Sequence, residues 1–229
     1  MLNFFKKWLH QWKELLKEKN FRISLLVGIA LLSLAFVVNY QSVIYTDNVE
    51  VVSVGDLILD NIPTVDLLFM YTWGIFIVLA IVVVYPIFFR PELLPFAAKT
   101  VAAFIIIRAG FISLTHLGAP ENFFKLPDIY AQPGAFQIFY LNDLFFSGHT
   151  GFPFLAALIF WENKLLRWFL ILMSLAQGAT VLLMHVHYSI DVFSAFFITY
   201  SIFAVSDKLF NKLNLSFREI VNKIEASFH

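Results

Sequence analysis

Apolar residues run along this chain in long blocks divided by short polar breaks, longer than a core strand or a surface helix needs. Six blocks reach the roughly 17–25 residues that carry a helix across a bilayer. They fall near 22–43, 66–89, 96–117, 145–161, 166–184 and 188–206. The fourth is short and opens on a polar motif, and the fifth and sixth are close enough to form a tight hairpin. Ahead of the first block the pattern changes. Trp8, Leu9, Trp12, Leu15 and Leu16 recur at three-to-four spacing among Lys6, Lys7, Lys13, Lys17 and Lys19. One greasy face on a basic helix predicts a segment lying in the membrane interface, not a cleavable signal. After the last block, Ser216-Phe217-Arg218-Glu219 precedes Ile220, Val221 and Ile224. That spacing suits a capping box opening a short amphipathic helix. The expected fold is all-α: a polytopic membrane bundle of six transmembrane helices with amphipathic terminal helices. Its expected parts are an interfacial helix over 1–21, a six-span domain over 22–206 and a tail over 207–229.

Composition agrees with lipid as the solvent. The chain is 60% hydrophobic and 14% charged, against about 45–50% and about 25% for soluble domains. A formal net charge of zero gives no reason to expect a nucleic-acid partner. The absence of Cys excludes a disulfide framework, a thiolate nucleophile and a Cys-ligated metal.

Charge also orients the bundle. The N-terminal Lys cluster, Arg90 and Lys99, Lys164 and Arg167, and Lys208, Lys212, Arg218 and Lys223 alternate with an acidic first connection holding Asp47, Glu50, Asp56 and Asp60. By the positive-inside rule both termini are cytoplasmic and the odd-numbered connections lie outside. The longest of these, Gly118 to Leu144, contains Pro120, Pro127, Pro133 and Gly134 and is expected to pack over the outer mouth.

Two constellations carry chemistry. Asp143-Leu-Phe-Phe-Ser147-Gly148-His149-Thr150 lies where the long outer loop enters the fourth block. A helix N-terminus offers unpaired N–H groups and the positive end of a dipole, and Ser147-Gly148 lets an anion approach the backbone. His149 can then meet a phosphate oxygen; an ordinary cap with an interfacial His is the plainer alternative. His185-Val-His187-Tyr188-Ser-Ile-Asp191 opens the sixth block at the same predicted surface. His187 and Asp191 are four apart and share a helical face, so the carboxylate can hold one ring nitrogen and leave the other free to attack. A structural His–Asp pair is the alternative. Arg108 lies inside the third block, where a charge should face a wet interior; it suits phosphate oxygens, or an ion pair with Asp143. His116 ends that block. A metal site of His149, His185 and His187 is conceivable but leaves Asp191 unexplained, so no metal or other cofactor is expected.

Ser-Gly-His followed by His-x-x-x-Asp resembles the type 2 phosphatidic acid phosphatase superfamily. The likeness is closer to its sphingomyelin-synthase-like branch, on Asp143 to Thr150, on His187-Tyr188-Ser-Ile-Asp191-Val192 with Ala195, Phe196, Phe197 and Thr199, and on His185. Arg108, Thr115, Leu117 and Pro120 echo an earlier motif. The phosphatases' Pro before Ser-Gly-His is Phe146 here, their Arg before the nucleophile is Val181, and their Lys-x6-Arg-Pro motif is missing. Against the synthase branch, Leu141-Asn142 stands where Cys-Gly is usual, and its proline-rich first motif has shrunk to Pro63.

The resemblance implies a six-span enzyme in which His187, oriented by Asp191, attacks phosphorus to form a phosphohistidine. His149 protonates the leaving oxygen, while Arg108, Ser147, Gly148, Asp143, His185 and Tyr188 surround the phosphate. The implied partners are a phospholipid and an acceptor, either a lipid such as ceramide or diacylglycerol, or water. Water would make the chain a lipid phosphatase or phospholipase C-like hydrolase. A transporter or scramblase would want polar residues through the full depth of the spans. Here they cluster at the outer ends apart from Arg108, which disfavours that reading, and a silent relative would not keep all three catalytic positions.

Overall fold

A computed structural model describes residues 2–125 and 143–227. The helices are α1 (Leu2–Lys17), α2 (Lys19–Asp47), α3 (Leu68–Phe89), α4 (Leu94–Leu114), α5 (Gly148–Ile159), α6 (Lys164–Leu183) and α7 (Ser189–Ser227). Short 3₁₀ turns at Leu59–Asn61 and Pro91–Leu93 interrupt the first and second connections. Among the described residues the architecture is all-helical, and its long apolar helices suit a multi-pass membrane protein, as the hydropathy blocks predict.

The span count needs correction. Among the described residues five helices are long and apolar enough to cross a membrane, with Pro91–Leu93 prefixed to α4. The fourth predicted block is α5, a helix of 12 residues that rises about 18 Å, well short of the roughly 30 Å hydrocarbon core. Its polar opening consumes residues a full span would use: Asp143 to Ser147 form the approach, and the helix starts only at Gly148. The outer-mouth packing expected of the long connection falls mainly on residues 126–142, outside those described.

The exterior is apolar over most of its length. Leu114, Leu165, Phe69 and Phe197 are each at least three-quarters exposed, a coat that only lipid makes cheap. Inside, Phe96, Phe104, Phe146, Leu155, Leu170, Ala195 and Ile202 form the main core between α4, α5, α6 and α7. Buried polar residues are not confined to one end, contrary to the expected clustering. Ser24, Lys99, Ser174, Gln177 and Thr199 are also enclosed. Several are tied across helices: Lys99 Nζ donates to Ser24 Oγ at 2.8 Å, Ser174 Oγ to Thr150 O at 2.7 Å and Gln177 Nε2 to Met70 O at 2.8 Å. They serve packing in the absence of water.

The ends differ from expectation in a second way. No new helix opens at Ser216, because α7 continues unbroken to Ser227. No Gly or Pro interrupts 207–227, so each N–H there already has its carbonyl one turn back and needs no cap. At 39 residues α7 rises about 58 Å and projects far beyond a hydrocarbon core. α1 docks on that projection through Leu15, which joins Phe21 of α2 against Phe217 and Val221, while Trp8 and Trp12 both donate Nε1–H to Ile87 O, at 2.9 and 3.1 Å. One flank of the amphipathic helix is therefore held by protein. Phe4, Phe5, Leu9 and Leu16 remain exposed, the apolar set an interfacial helix needs.

Candidate active site

The two histidine-bearing segments meet because α5 and α7 start beside each other. Ser147 caps α5, its Oγ accepting from Thr150 N at 3.3 Å, and its own N–H donates to Asp191 O in the first turn of α7 at 3.1 Å. Both segments thus share a backbone bond across 44 positions of sequence, the separation of Ser147 from Asp191.

Asp191 is fully buried. Its Oδ2 accepts from His187 Nδ1 at 3.3 Å and from Tyr188 N at 2.9 Å, and Oδ1 has no hydrogen-bond partner among the described residues. A carboxylate oxygen accepts, so Nδ1 donates in this pair and Nε2 is the ring nitrogen that Asp191 does not engage. His187 also lines the principal cavity, as do His149, Gly148, Asp143 and Arg108.

Arg108 is buried in the last third of α4 and acts as a clamp. Its Nη1 pairs with Asp143 Oδ1 at 2.6 Å, Nε donates to Phe146 O at 2.7 Å and Nη2 to Asp143 O at 3.0 Å. The guanidinium fixes the approach to α5 at both ends, so the ion pair with Asp143 is present while the residue still faces the cavity. Gly148 allows this closeness: a Cβ there would meet Arg108 Nε at 3.3 Å and Cζ at 3.4 Å. A guanidinium held by three bonds has little room to give.

Tyr71 is the cavity residue that the sequence pattern did not disclose. Its ring stacks on His149 with centroids 4.1 Å apart and planes 16° from parallel. It belongs to the first turn of α3, which Gln177 pins through Met70 O. Gly74 admits that amide, since a Cβ would lie 1.9 Å from Gln177 Nε2. An aromatic in an apolar block carries no signal in itself, and the partner is 78 positions away.

Two expected phosphate contacts lie elsewhere. Tyr188 does not line the cavity. Its hydroxyl donates to Gly118 O at 2.9 Å and accepts from Val54 N at 3.1 Å, with Ser53 Oγ at 3.3 Å. It locks the first and third connections together. His185 donates Nδ1–H to Glu121 O at 3.2 Å and also lies outside the cavity. Its φ of 52° is a left-handed turn that few non-Gly residues adopt, and this turn directs the chain from α6 into α7. His116 faces Tyr45 Oη at 3.1 Å, away from the site.

Asp56, from the acidic first connection, completes the support. Oδ2 accepts from Ser189 N at 2.7 Å and caps α7, while Oδ1 accepts from Ile58 N and Leu59 N. Burial works to raise its pKa, but these N–H groups outweigh it and hold the carboxyl below its ordinary value. No group of three or more His, Cys, Asp or Glu suited to a metal occurs among the described residues.

Residues 142–208 match the sequence family described as PAP2 superfamily C-terminal. The matched stretch holds both constellations, from Asp143 through Asp191. No curated protein and no solved structure matches the chain.

Proposed function

We propose, from the match of residues 142–208 to the PAP2 superfamily C-terminal family, that the chain acts as a member of the type 2 phosphatidic acid phosphatase superfamily and moves a phosphorylated lipid head group through a phosphohistidine. Superfamily members are generally phosphatases or phosphotransferases. The observation carrying the reading is the Ser147 N–H to Asp191 O bond, which joins the two segments whose histidines line one cavity at a helix start, with the buried Asp191 carboxylate behind His187.

His187 Nε2 attacks phosphorus while Asp191 holds Nδ1–H and stabilises the charge that develops. The phosphorus–oxygen bond to the leaving group breaks, and His149 gives that oxygen its proton. His149 then takes the proton from the acceptor hydroxyl as that oxygen attacks the phosphohistidine. The α5 N-terminus and Arg108 favour the charged equatorial oxygens. Stacking on Tyr71 keeps the His149 ring in one plane. In this reading Asp143 sets Arg108, while His185 and Tyr188 hold the backbone that aims His187.

The acceptor we favour is a lipid hydroxyl, ceramide or diacylglycerol, as in the sphingomyelin-synthase-like branch; water as acceptor gives the hydrolase. Charge asymmetry supports cytoplasmic termini and an extracytoplasmic site. A conduit for lipid is disfavoured by the cavity wall: apart from the site residues and Asn39 its lining is apolar, so a polar head group would find nothing to replace water along the way. Purified protein given labelled phosphatidylethanolamine or phosphatidylcholine, with and without ceramide, tests the reaction. Labelled ceramide product indicates transfer and free phosphorylated head group indicates hydrolysis. Full activity in His187→Ala would refute the assignment.

A further inference from the structure

Helix α2 contributes one wall of the active-site cavity through Leu32, Phe36 and Asn39, whose spacing of four and three puts them on one helical face. Asn39 is the polar member of that face. The register between α2 and α4 fixes its depth. The two helices run side by side in the same direction: a Cβ at Gly28 would lie 3.1 Å from Ala98 Cβ, and Ser42 Oγ donates to Ala109 O at 2.7 Å and meets Ser113 Oγ at 2.8 Å. One turn before Ser42, Asn39 therefore stands level with Arg108, at the polar end of the cavity. Its carboxamide makes no hydrogen bond to any described residue. Ser42 and Gln177, by contrast, are each tied to a neighbouring helix. A polar side chain within a membrane span ordinarily earns its place by such a bond, so helix packing leaves Asn39 unexplained.

We propose that Asn39 is a specificity-determining residue that reads the junction between phosphate and hydrocarbon, donating Nδ2–H to an ester carbonyl of the lipid whose phosphate meets His187. The inference rests on the reaction proposed above and adds to it the neutral group beside the phosphate. Arg108 and the start of α5 already serve the charged oxygens. A carboxamide donates without carrying charge, which suits an uncharged acceptor. In a diacyl lipid the ester carbonyls are the neutral acceptors nearest the phosphate. At the bilayer surface those carbonyls are hydrated, and entering the cavity strips that water; Asn39 replaces it. A dialkyl ether lipid has no carbonyl to offer, so its binding would leave the Asn39 amide enclosed without a good acceptor. The resulting preference arises at one side chain and is independent of the length of the hydrocarbon chains.

The test is a competition. The full chain in a non-ionic detergent receives equal amounts of diester and diether phosphatidic acid of the same chain length, and native mass spectrometry reads the ratio bound. The wild type should favour the diester about tenfold. Asn39→Leu, an apolar change that suits a membrane helix, should bring the ratio to one or below. Phe36→Leu, one turn away on the same face, should leave it as in the wild type. A wild-type ratio near one, or a diester preference that survives Asn39→Leu, would overturn the proposal; a merely structural Asn39 would change the binding of both lipids alike and leave the ratio alone. Phosphate release from the diester lipid is followed in parallel. A diester preference that depends on Asn39, without phosphate release, would sink the reaction and leave the assignment of Asn39 standing. Phosphate release with a ratio near one would sink the assignment alone.

Discussion

The two ends of the helix bundle hold charge in opposite ways. At the site end, Arg108 and Asp191 are buried and each is fixed by backbone groups: Arg108 by Phe146 O and Asp143 O, Asp191 by Tyr188 N. At the other end, Arg90 bonds Glu92 at 2.5 Å and reaches Glu162 at 3.1 Å, and Arg218 pairs with Glu162 as well. Glu162 has a side chain 54% exposed and joins the α5–α6 connection to the projecting part of α7. Its carboxyl is held below the usual range by these arginines, against a raising effect of burial. Glu92 is buried, but Glu162 and the two arginines reach water, so their pairs can rearrange, share charge with solvent and act as adhesive. Buried charges held by backbone cannot reorient, and fixed orientation is what a reaction at phosphorus needs.

Substitutions at the two ends should therefore fail differently. The largest effect belongs to His187→Ala, which should lower turnover by more than about 10³-fold; head-group release in detergent measures it. Arg108→Gln should cost about 3–5 kcal/mol of stability, since it leaves Asp143 and the Phe146 carbonyl without their partner, and thermal unfolding reads it. The matching change at the other end, Arg218→Gln, should cost less than about 1 kcal/mol by the same assay. Equal losses at the two ends would erase the distinction between them.

Smaller effects sharpen it. Asp56→Asn should cost about 0.5–2 kcal/mol as a weakened cap on α7. Because the folded-state pKa of Asp56 is depressed, its contribution is whole above the unfolded value near about 3.9 and disappears as pH falls through the folded value. The wild type should accordingly lose more stability than Asp56→Asn on acidification across that window, seen as converging unfolding curves. Tyr71→Leu should slow turnover by up to about tenfold, the value of one stacked pair, read as head-group release.

The sequence pattern reads the five long spans directly, because a helix in lipid must be apolar over its whole length. It overstates the fourth, where hydropathy cannot distinguish a spanning helix from a loop of Leu144, Phe145 and Phe146 leading into a short one. His149, His187 and Asp191 are legible because their spacing is local and the alternation of charge puts their segments at one end. Tyr71 and Asp56 are not, since each acts on a segment far along the chain through contacts that packing alone creates. His185 and Tyr188 show the converse. They flank His187 closely in sequence, yet the left-handed turn at His185 and the pull of Gly118 O on Tyr188 direct their side chains out of the cavity.

The central claim is that His187 becomes covalently phosphorylated while Asp191 holds its other nitrogen. Rapid quenching during turnover of phosphate-labelled phosphatidic acid, followed by peptide mapping under alkaline conditions that preserve phosphohistidine, addresses it directly. The account predicts label on His187, strongly reduced in Asp191→Asn and absent in His187→Ala. Steady turnover with no label on the protein, or label on His149 instead, would contradict it.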